Sequence, residues 1–348
     1  MYSLATVLPF VVCLVWSVIG LLDYKKADPA KHTLFIFSVA ATLLYFCHYL
    51  HFNGLNTRFS EGIYFLCNMS VYPLYAMYVE RLTHKRLSFW LRDAWWFIPA
   101  LLFCVATFIC GGDAVQGVNK WAFPIVSIAA ILYATRLLLL FRKRVDNYYS
   151  NPEEKRLDPV LVLLFLQLVT MVASFIVNLA GRDSFMGKEM LLIPSVAFSV
   201  LLFGIFYVGG KTAFPSEEVQ QGEDIAPPAS LNENQRQQLM QKIEQQMLDK
   251  ELFRTKGLTI SDLAEAVGSN RTYVSSCINQ CAGMSFSEYV NGARVRYVLS
   301  LVSSQPDLPV SELADKAGFN DRTTFYRSFK KATGMSPSEY AAAKNAGG

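Results

Sequence analysis

Two short sets of polar side chains carry the recognisable chemistry of this 348-residue chain. Arg271, Thr272, Ser275, Ser276 and Asn279 fall on one side of a helical period, and Arg322, Thr323, Tyr326, Arg327 and Lys330 occupy the aligned places in a second segment. Guanidinium groups pair with guanine edges, an asparagine amide pairs with adenine, and hydroxyls reach bases or phosphates. Lys331, near the end of its segment, suits a backbone phosphate. This is the equipment of a surface that reads duplex DNA.

The elements that must hold these side chains are written twice. Residues 260–289 read ISDLAEAVGSNRTYVSSCINQCAGMSFSEY and residues 310–340 read VSELADKAGFNDRTTFYRSFKKATGMSPSEY. Leu263 answers Leu313, Ala264 answers Ala314, Gly268 answers Gly318, Ile278 answers Phe329 and Tyr289 answers Tyr340. Such a repeat marks two copies of one supersecondary unit. In the first copy, Thr259 and Ser261 are N-cap types ahead of the apolar positions Ile260, Leu263, Ala264 and Val267. Gly268 supplies the positive φ of a tight helix stop. Asn270 then caps a second helix with Val274 and Ile278 inward. Helix, glycine turn and helix make a helix-turn-helix, whose second helix enters the major groove. Residues 231–348 hold 14 Lys or Arg against 12 Asp or Glu, so this region is not strongly basic. Its positive charge gathers on Arg322, Arg327, Lys330 and Lys331, so the second copy is expected to supply phosphate attraction and the first hydrogen-bond readout.

From Leu231 onward the chain resembles the AraC/XylS family of DNA-binding domains. The resemblance rests on Ala317-Gly318-Phe319, then Phe325, Arg327, Phe329 and Lys330-Lys331, then Thr333-Gly334-Met335-Ser336-Pro337 and Tyr340. It implies two helix-turn-helix units joined by a long helix, here FSEYVNGARVRYVLSLV, with Arg294 where the family carries an arginine. A rigid connector would hold the two reading helices about one DNA turn apart, roughly 34 Å. Cys277 and Cys281 depart from the family, which has bulkier or charged residues there. The preceding segment, with Leu239, Met240, Ile243, Met247 and Leu248 at helical spacing, is expected to pack as the first helix of this domain rather than against a second chain.

The front of the chain is built for a different solvent. Hydrophobic residues make up 52% of the whole and charged residues 17%, the balance of a membrane protein. Apolar runs at about 4–22, 33–52, 62–79, 94–112, 121–141, 159–180 and 189–209 each approach the roughly 20 residues that cross a bilayer core. Loops one, three and five, with the segment after the last run, carry Lys25, Lys26, Lys31, Arg81, Lys85, Arg86, Arg92, Arg142, Lys143, Arg144, Lys155, Arg156 and Lys211, against Arg58, Lys120, Arg182 and Lys188 in the alternate loops. The positive-inside rule then puts the N-terminus outside and everything after residue 210 in the cytoplasm, as expected of a multi-pass inner-membrane protein. The first run is followed, not preceded, by lysines and reads as a retained span.

The expected fold is all-α: a seven-span transmembrane helical bundle over 1–210, a flexible proline-rich and acidic linker over 211–230, and a cytoplasmic AraC-type double helix-turn-helix over 231–348. Asn68, Gln167, Asn178, His48 and His51 are polar groups in or beside the spans, where such groups are costly and often functional. His48 and His51, three apart, are candidates for proton or metal sensing against plain interfacial hydrogen bonding. The sequence contains no phosphate-cradling glycine loop, HExxH or nucleophile elbow, so no catalytic residue, cofactor or metal site is expected. Cys277 and Cys281 lack two further ligands for zinc. The expected partners are double-stranded promoter DNA, the lipid bilayer, a second copy as homodimer, RNA polymerase and an unidentified signal ligand. Two other readings stay open: a membrane transporter or membrane enzyme with a regulatory DNA-binding tail, and a factor released by cleavage between Phe214 and Pro228.

Overall fold

The computed structural model describes residues 2–84, 91–181, 184, 192–211, 231–305 and 308–346. The linker read at 211–230 therefore lies, from residue 212, outside the described residues, as do Lys85, Arg86, Arg182 and Lys188. The described chain is all-α. In order it runs α1 (Tyr2–Asp23), α2 (Pro29–Phe52), α3 (Arg58–Thr83), α4 (Leu91–Ala94), α5 (Ile98–Cys110), α6 (Gly112–Tyr148), α7 (Asp158–Ala180), α8 (Leu192–Lys211), α9 (Glu233–Asp249), α10 (Ile260–Ala266), α11 (Arg271–Cys281), α12 (Phe286–Ser304), α13 (Val310–Lys316), α14 (Arg322–Thr333) and α15 (Pro337–Ala346). Two compact units emerge, Met1–Leu139 with Leu157–Pro215, and Leu140–Arg156 with Ser216–Gly348. The end of α6 and the loop after it thus belong with the C-terminal unit, a placement that reading the loop only for its charge did not anticipate.

In the N-terminal unit, α3 is buried on most of its surface, with Tyr75, Tyr78, Met69 and Met77 enclosed. A helix apolar or enclosed all round sits inside a bundle. Around it α1 and α2 pack together and α8 lies against α1. The outer faces are apolar: Leu14, Val18 and Leu22 of α1, Leu102 and Ile109 of α5, Ile125 and Leu132 of α6, and Val162, Phe165 and Ile176 of α7 are exposed. Patches of this kind mark contact with another apolar phase or partner. The described part of each expected run lies mainly on helix, with a 3-10 turn at Trp95–Phe97 and Gly111 interrupting the fourth, and residues 189–191 of the last lying outside the described residues. By length and apolarity, however, four qualify to cross a membrane: Leu4–Asp23, Pro29–Phe52, Gly112–Tyr148 and Asp158–Ala180. The other three fall short for separate reasons. α3 carries Asn68, Ser70, Glu80 and Arg81, α5 has 13 residues, and the described apolar stretch of α8 is Ser195–Gly209.

Within the C-terminal unit α9, α10, α11, α12 and α14 start where the sequence offers a side-chain oxygen to free backbone N–H groups, whereas α13 starts after Pro309 without a side-chain cap. Asn232, Thr259 and Ser285 each form a reciprocal capping box. Asn270 accepts from Tyr273 N at 2.8 Å and Asp321 from Thr324 N at 2.8 Å. Ser261 lies inside α10 and leaves the cap to Thr259. α9 buries Leu239, Ile243 and Met247, four apart, and packs on α10 and α11. It packs within this unit, as expected, and is the first described helix after residue 230, while Leu248 stays exposed. α12 is 19 residues long, about 28 Å at 1.5 Å per residue. Its Val295, Val298, Leu301 and Val302 meet Leu313, Ala314, Ala317, Phe319, Phe325 and Phe329 in one core. Burying each phenyl ring contributes roughly 1.5–3 kcal/mol.

Candidate nucleic-acid interface

Each reading helix is fixed by two inward residues and a glycine turn. Val274 and Ile278 are fully buried under α11, and Cys277 joins them as a third inward residue. Phe325 and Phe329 take the same places under α14, with Thr324. Gly268 and Gly318 have φ of +63° and +83°, the left-handed region that stops a helix at low cost only for glycine.

The expected contact residues then separate by copy. Arg271, Thr272, Ser275, Ser276 and Asn279 share the outward side of α11 and are all partly covered. The Asn279 amide nitrogen folds back on its own helix, donating to Ser275 O at 2.8 Å and to Ser275 Oγ at 3.3 Å. On α14, Arg322, Thr323, Tyr326, Arg327, Lys330 and Lys331 are all exposed. Two of these cations face carboxylates. Lys331 Nζ donates to Glu288 Oε1 at 2.6 Å, and Arg327 pairs with Glu153. The Lys331 hydrogen bond, with the Ser285 N–H, holds the Glu288 carboxyl down at about 2. The Cys277 and Cys281 sulfurs lie 4.0 Å apart. Burial first, then Cys281, pushes the Cys277 thiol up to about 12, far from a reactive thiolate.

Beside the reading helices lies a polar junction that the sequence did not reveal. Arg294 of α12 is among the largest fully buried side chains. Its Nε donates to Phe253 O at 2.7 Å and its Nη2 to Thr255 O at 2.8 Å. Nη1 donates to Asn151 Oδ1 at 2.9 Å and Asn291 Oδ1 at 3.1 Å, and Nη2 also reaches Ser150 Oγ at 3.4 Å. Burial lowers its pKa to about 10, which leaves the guanidinium charged at neutral pH. Five donors directed at five oxygens use the whole hydrogen-bonding capacity of the fork. The guanidinium also lies 5.5 Å from the Phe319 ring of the second copy.

Ser150 and Asn151 come from the loop after α6. Ser150 N donates to Leu258 O at 3.0 Å, Asn291 Nδ2 to Ser150 O at 2.9 Å and Ser287 Oγ to Ser150 O at 3.3 Å. Tyr149 forms an isolated antiparallel bridge with Thr259, and Tyr148 Oη lies 3.2 Å from Ser261 Oγ. The loop is thus stitched to α10 and α12 before it offers Glu153 to α14. Its sequence signal, Ser150-Asn151-Pro152, is that of any turn, whereas Arg294 stood out through the family resemblance alone.

This geometry coincides with what known proteins share with the chain. Residues 263–343 match the helix-turn-helix domain family. Over this stretch, less than a quarter of the chain, the sequence is that of a helix-turn-helix domain. It is similar to the melibiose operon regulatory protein of Escherichia coli strain K12, 33% identical over 85 residues, or 24% of this chain and 28% of that protein. It is similar also to the uncharacterized HTH-type transcriptional regulator YtdP of Bacillus subtilis strain 168, 35% identical over 83 residues, 24% of this chain and 11% of the relative. The Msm operon regulatory protein of Streptococcus mutans is 28% identical over 83 residues, 24% and 30% of the two chains. The chain thus covers less than a third of each relative's length. No solved structure matches it.

The bundle's candidate groups are placed differently. The His48 ring packs 5.9 Å from Phe52 and 5.1 Å from Tyr64, and His51 lies 5.4 Å from Phe52. Both histidines therefore sit in an aromatic cluster. Among the described residues, no group of three His, Cys, Asp or Glu side chains is placed to hold a metal. Asn178 Oδ1 accepts from Gln116 Nε2, while Gln167 is buried.

Proposed function

We propose that the chain is a membrane-anchored, one-component transcription regulator that binds promoter DNA through both helix-turn-helix units. The observation that carries this reading is the pair of capped reading helices with DNA-competent side chains on corresponding faces, α11 and α14. Relatives named as operon regulators support the output, and the apolar outward faces of α1, α5, α6 and α7 support a bilayer around the first unit. In this reading all seven apolar helices span the inner membrane. α3 is sheltered at the centre, the N-terminus is outside and the DNA-binding unit is in the cytoplasm. Arg271, Thr272, Ser275, Ser276, Asn279, Arg322, Thr323, Tyr326, Arg327 and Lys330 face the grooves, and Lys331 a phosphate. A homodimer on a paired operator, contact with RNA polymerase and an envelope or membrane signal complete the proposal.

The test is selection of duplexes from a random-sequence pool by the intact chain in lipid nanodiscs, followed by footprinting. One or two half-sites about a helical turn apart are expected. Recovery of no enriched sequence rejects the DNA reader, and recovery of the intact chain in a soluble fraction without detergent rejects the anchor.

A further inference from the structure

Inside the N-terminal unit lies a cavity of about 170 Å³. Tyr45, His48, Asn68, Tyr72, Asn178 and Phe198 line it among further small and apolar residues, and among the described residues no Asp, Glu, Lys or Arg faces it. A described wall with one imidazole and no Asp, Glu, Lys or Arg repays little of the desolvation of an ion, so the cavity favours neutral molecules. An apolar cavity of about 150 Å³ accepts benzene, so one ring fits here. Tyr45 and Phe198, 6.5 Å apart, offer aromatic walls. Asn68 and Asn178 offer amides to a polar substituent. From this we infer that the cavity binds a neutral single-ring aromatic bearing one hydrogen-bonding group, of the phenol class. The site deepens the sensor reading above and rests on it for its role, not for its occupancy.

The experiment is titration of the full chain in nanodiscs with phenol, toluene and benzoate at neutral pH, with empty nanodiscs as reference. Saturable phenol binding is expected, with benzoate weaker by at least about tenfold. Asn68→Leu should weaken phenol about tenfold and leave toluene unchanged. Ala41→Phe, at another lining position, should block both. Should Ala41→Phe not fold, Asn68→Leu still decides. Partition equal to empty nanodiscs, or phenol binding indifferent to Asn68→Leu, overturns the site. Phenol binding without any change in affinity for a selected duplex leaves the site standing and defeats the sensor role.

A separate set of contacts, at residues 148–156, points to a second device. Ser150 and Asn151 anchor the loop on Arg294, and Glu153 then occupies Arg327 on the face of α14. A carboxylate on that guanidinium excludes a phosphate or guanine edge from it. We infer that Glu153 and DNA compete for Arg327, so the loop is a self-bound inhibitor of the second reading helix. α6 and α7 continue the chain from the two sides of this loop.

The test uses a duplex selected by the full chain, with affinity measured for Glu153→Gln, Arg327→Ala and the double variant. Glu153→Gln alone should tighten binding about three- to tenfold, and in the Arg327→Ala background it should change nothing. Equal tightening in both backgrounds shows only a general loss of negative charge and overturns the competition. No tightening in either overturns it as well.

Discussion

The two helix-turn-helix copies share a framework and differ in what they present. In the first, the outward side of α11 is half covered, Asn279 is folded on Ser275, and one cation, Arg271, is present among neutral hydroxyls. In the second, α14 exposes Arg322, Arg327, Lys330 and Lys331, and two of these already face carboxylates. Inward, Val274 and Ile278 of the first copy are answered by the larger Phe325 and Phe329, while outward Arg271 and Thr272 recur as Arg322 and Thr323, and Ser275, Ser276 and Asn279 give way to Tyr326, Arg327 and Lys330. The lesson is that likeness of fold within one chain does not carry likeness of electrostatics. The second copy is the one whose charges are restrained from within the protein.

Arg294 offers the strongest way to break this comparison, because it ties the carbonyls of Phe253 and Thr255, before the first copy, to a helix shared with the second. Arg294→Met leaves several buried oxygens without donors and should destabilise the C-terminal unit by about 3–5 kcal/mol. Denaturant unfolding of the full chain, followed by protection of α12 amides from exchange, measures it. The two turn glycines sharpen the contrast. A Cβ on Gly318 would fall inside the Arg254 backbone carbonyl, whereas one on Gly268 meets nothing. Gly318→Ala should therefore cost about 3 kcal/mol or more, and Gly268→Ala only the left-handed strain of about 1–2 kcal/mol. Equal losses in the same unfolding assay would show that the copies are equally packed after all.

DNA binding gives intermediate effects. Arg271→Ala and Arg327→Ala should each cost about 1–3 kcal/mol and relax preference at one base pair. Lys331→Ala should weaken all sequences alike and reduce the salt slope by about one. Titration against selected and scrambled duplexes at several salt concentrations separates the two behaviours, and identical behaviour removes the division of labour between the copies.

The smallest expected effect is on pH. Glu288 is held at about 2, chiefly by Lys331 and then by the Ser285 N–H. Its folded value lies below its unfolded one, so its contribution is complete above about pH 4.5 and is lost as pH falls toward 2. The pair is largely exposed, which limits the contribution to less than about 1 kcal/mol. Glu288→Gln should flatten the stability profile between pH 5 and 2 and leave neutral stability within that margin.

The sequence disclosed what local rules govern. Gly268 and Gly318 announced left-handed stops, Thr259 and Asn270 announced caps, and Leu239, Ile243 and Met247 announced a packed first helix. All of these depend on neighbours within about one helical turn, where residue type is nearly decisive. The outward residues of α11 and α14 were legible as sets, since period alone places them on a face. The meeting of Ser150 with Arg294, and of Glu153 with Arg327, was not legible. Those partners are separated by 144 and 174 positions, and no periodicity links them. Cys277 was missed as an inward residue because its small thiol resembles a polar surface group in the pattern Ser275-Ser276-Cys277. Among the described residues the apolar runs located the long helices of the first unit and not the short α4, and α3 shows why composition alone does not grade them. A helix enclosed by its neighbours tolerates Asn, Ser and Tyr that an outer helix does not.

One consequence follows from the loop folded into the C-terminal unit. The backbone enters that unit twice, once through residues 140–156 and again after residue 215. A protease that severed only the later connection would leave the domain clasped through Ser150, Asn151 and Tyr149. Detachment would need a second cut or the undoing of that clasp, so nicking and liberation are distinct events for this protein.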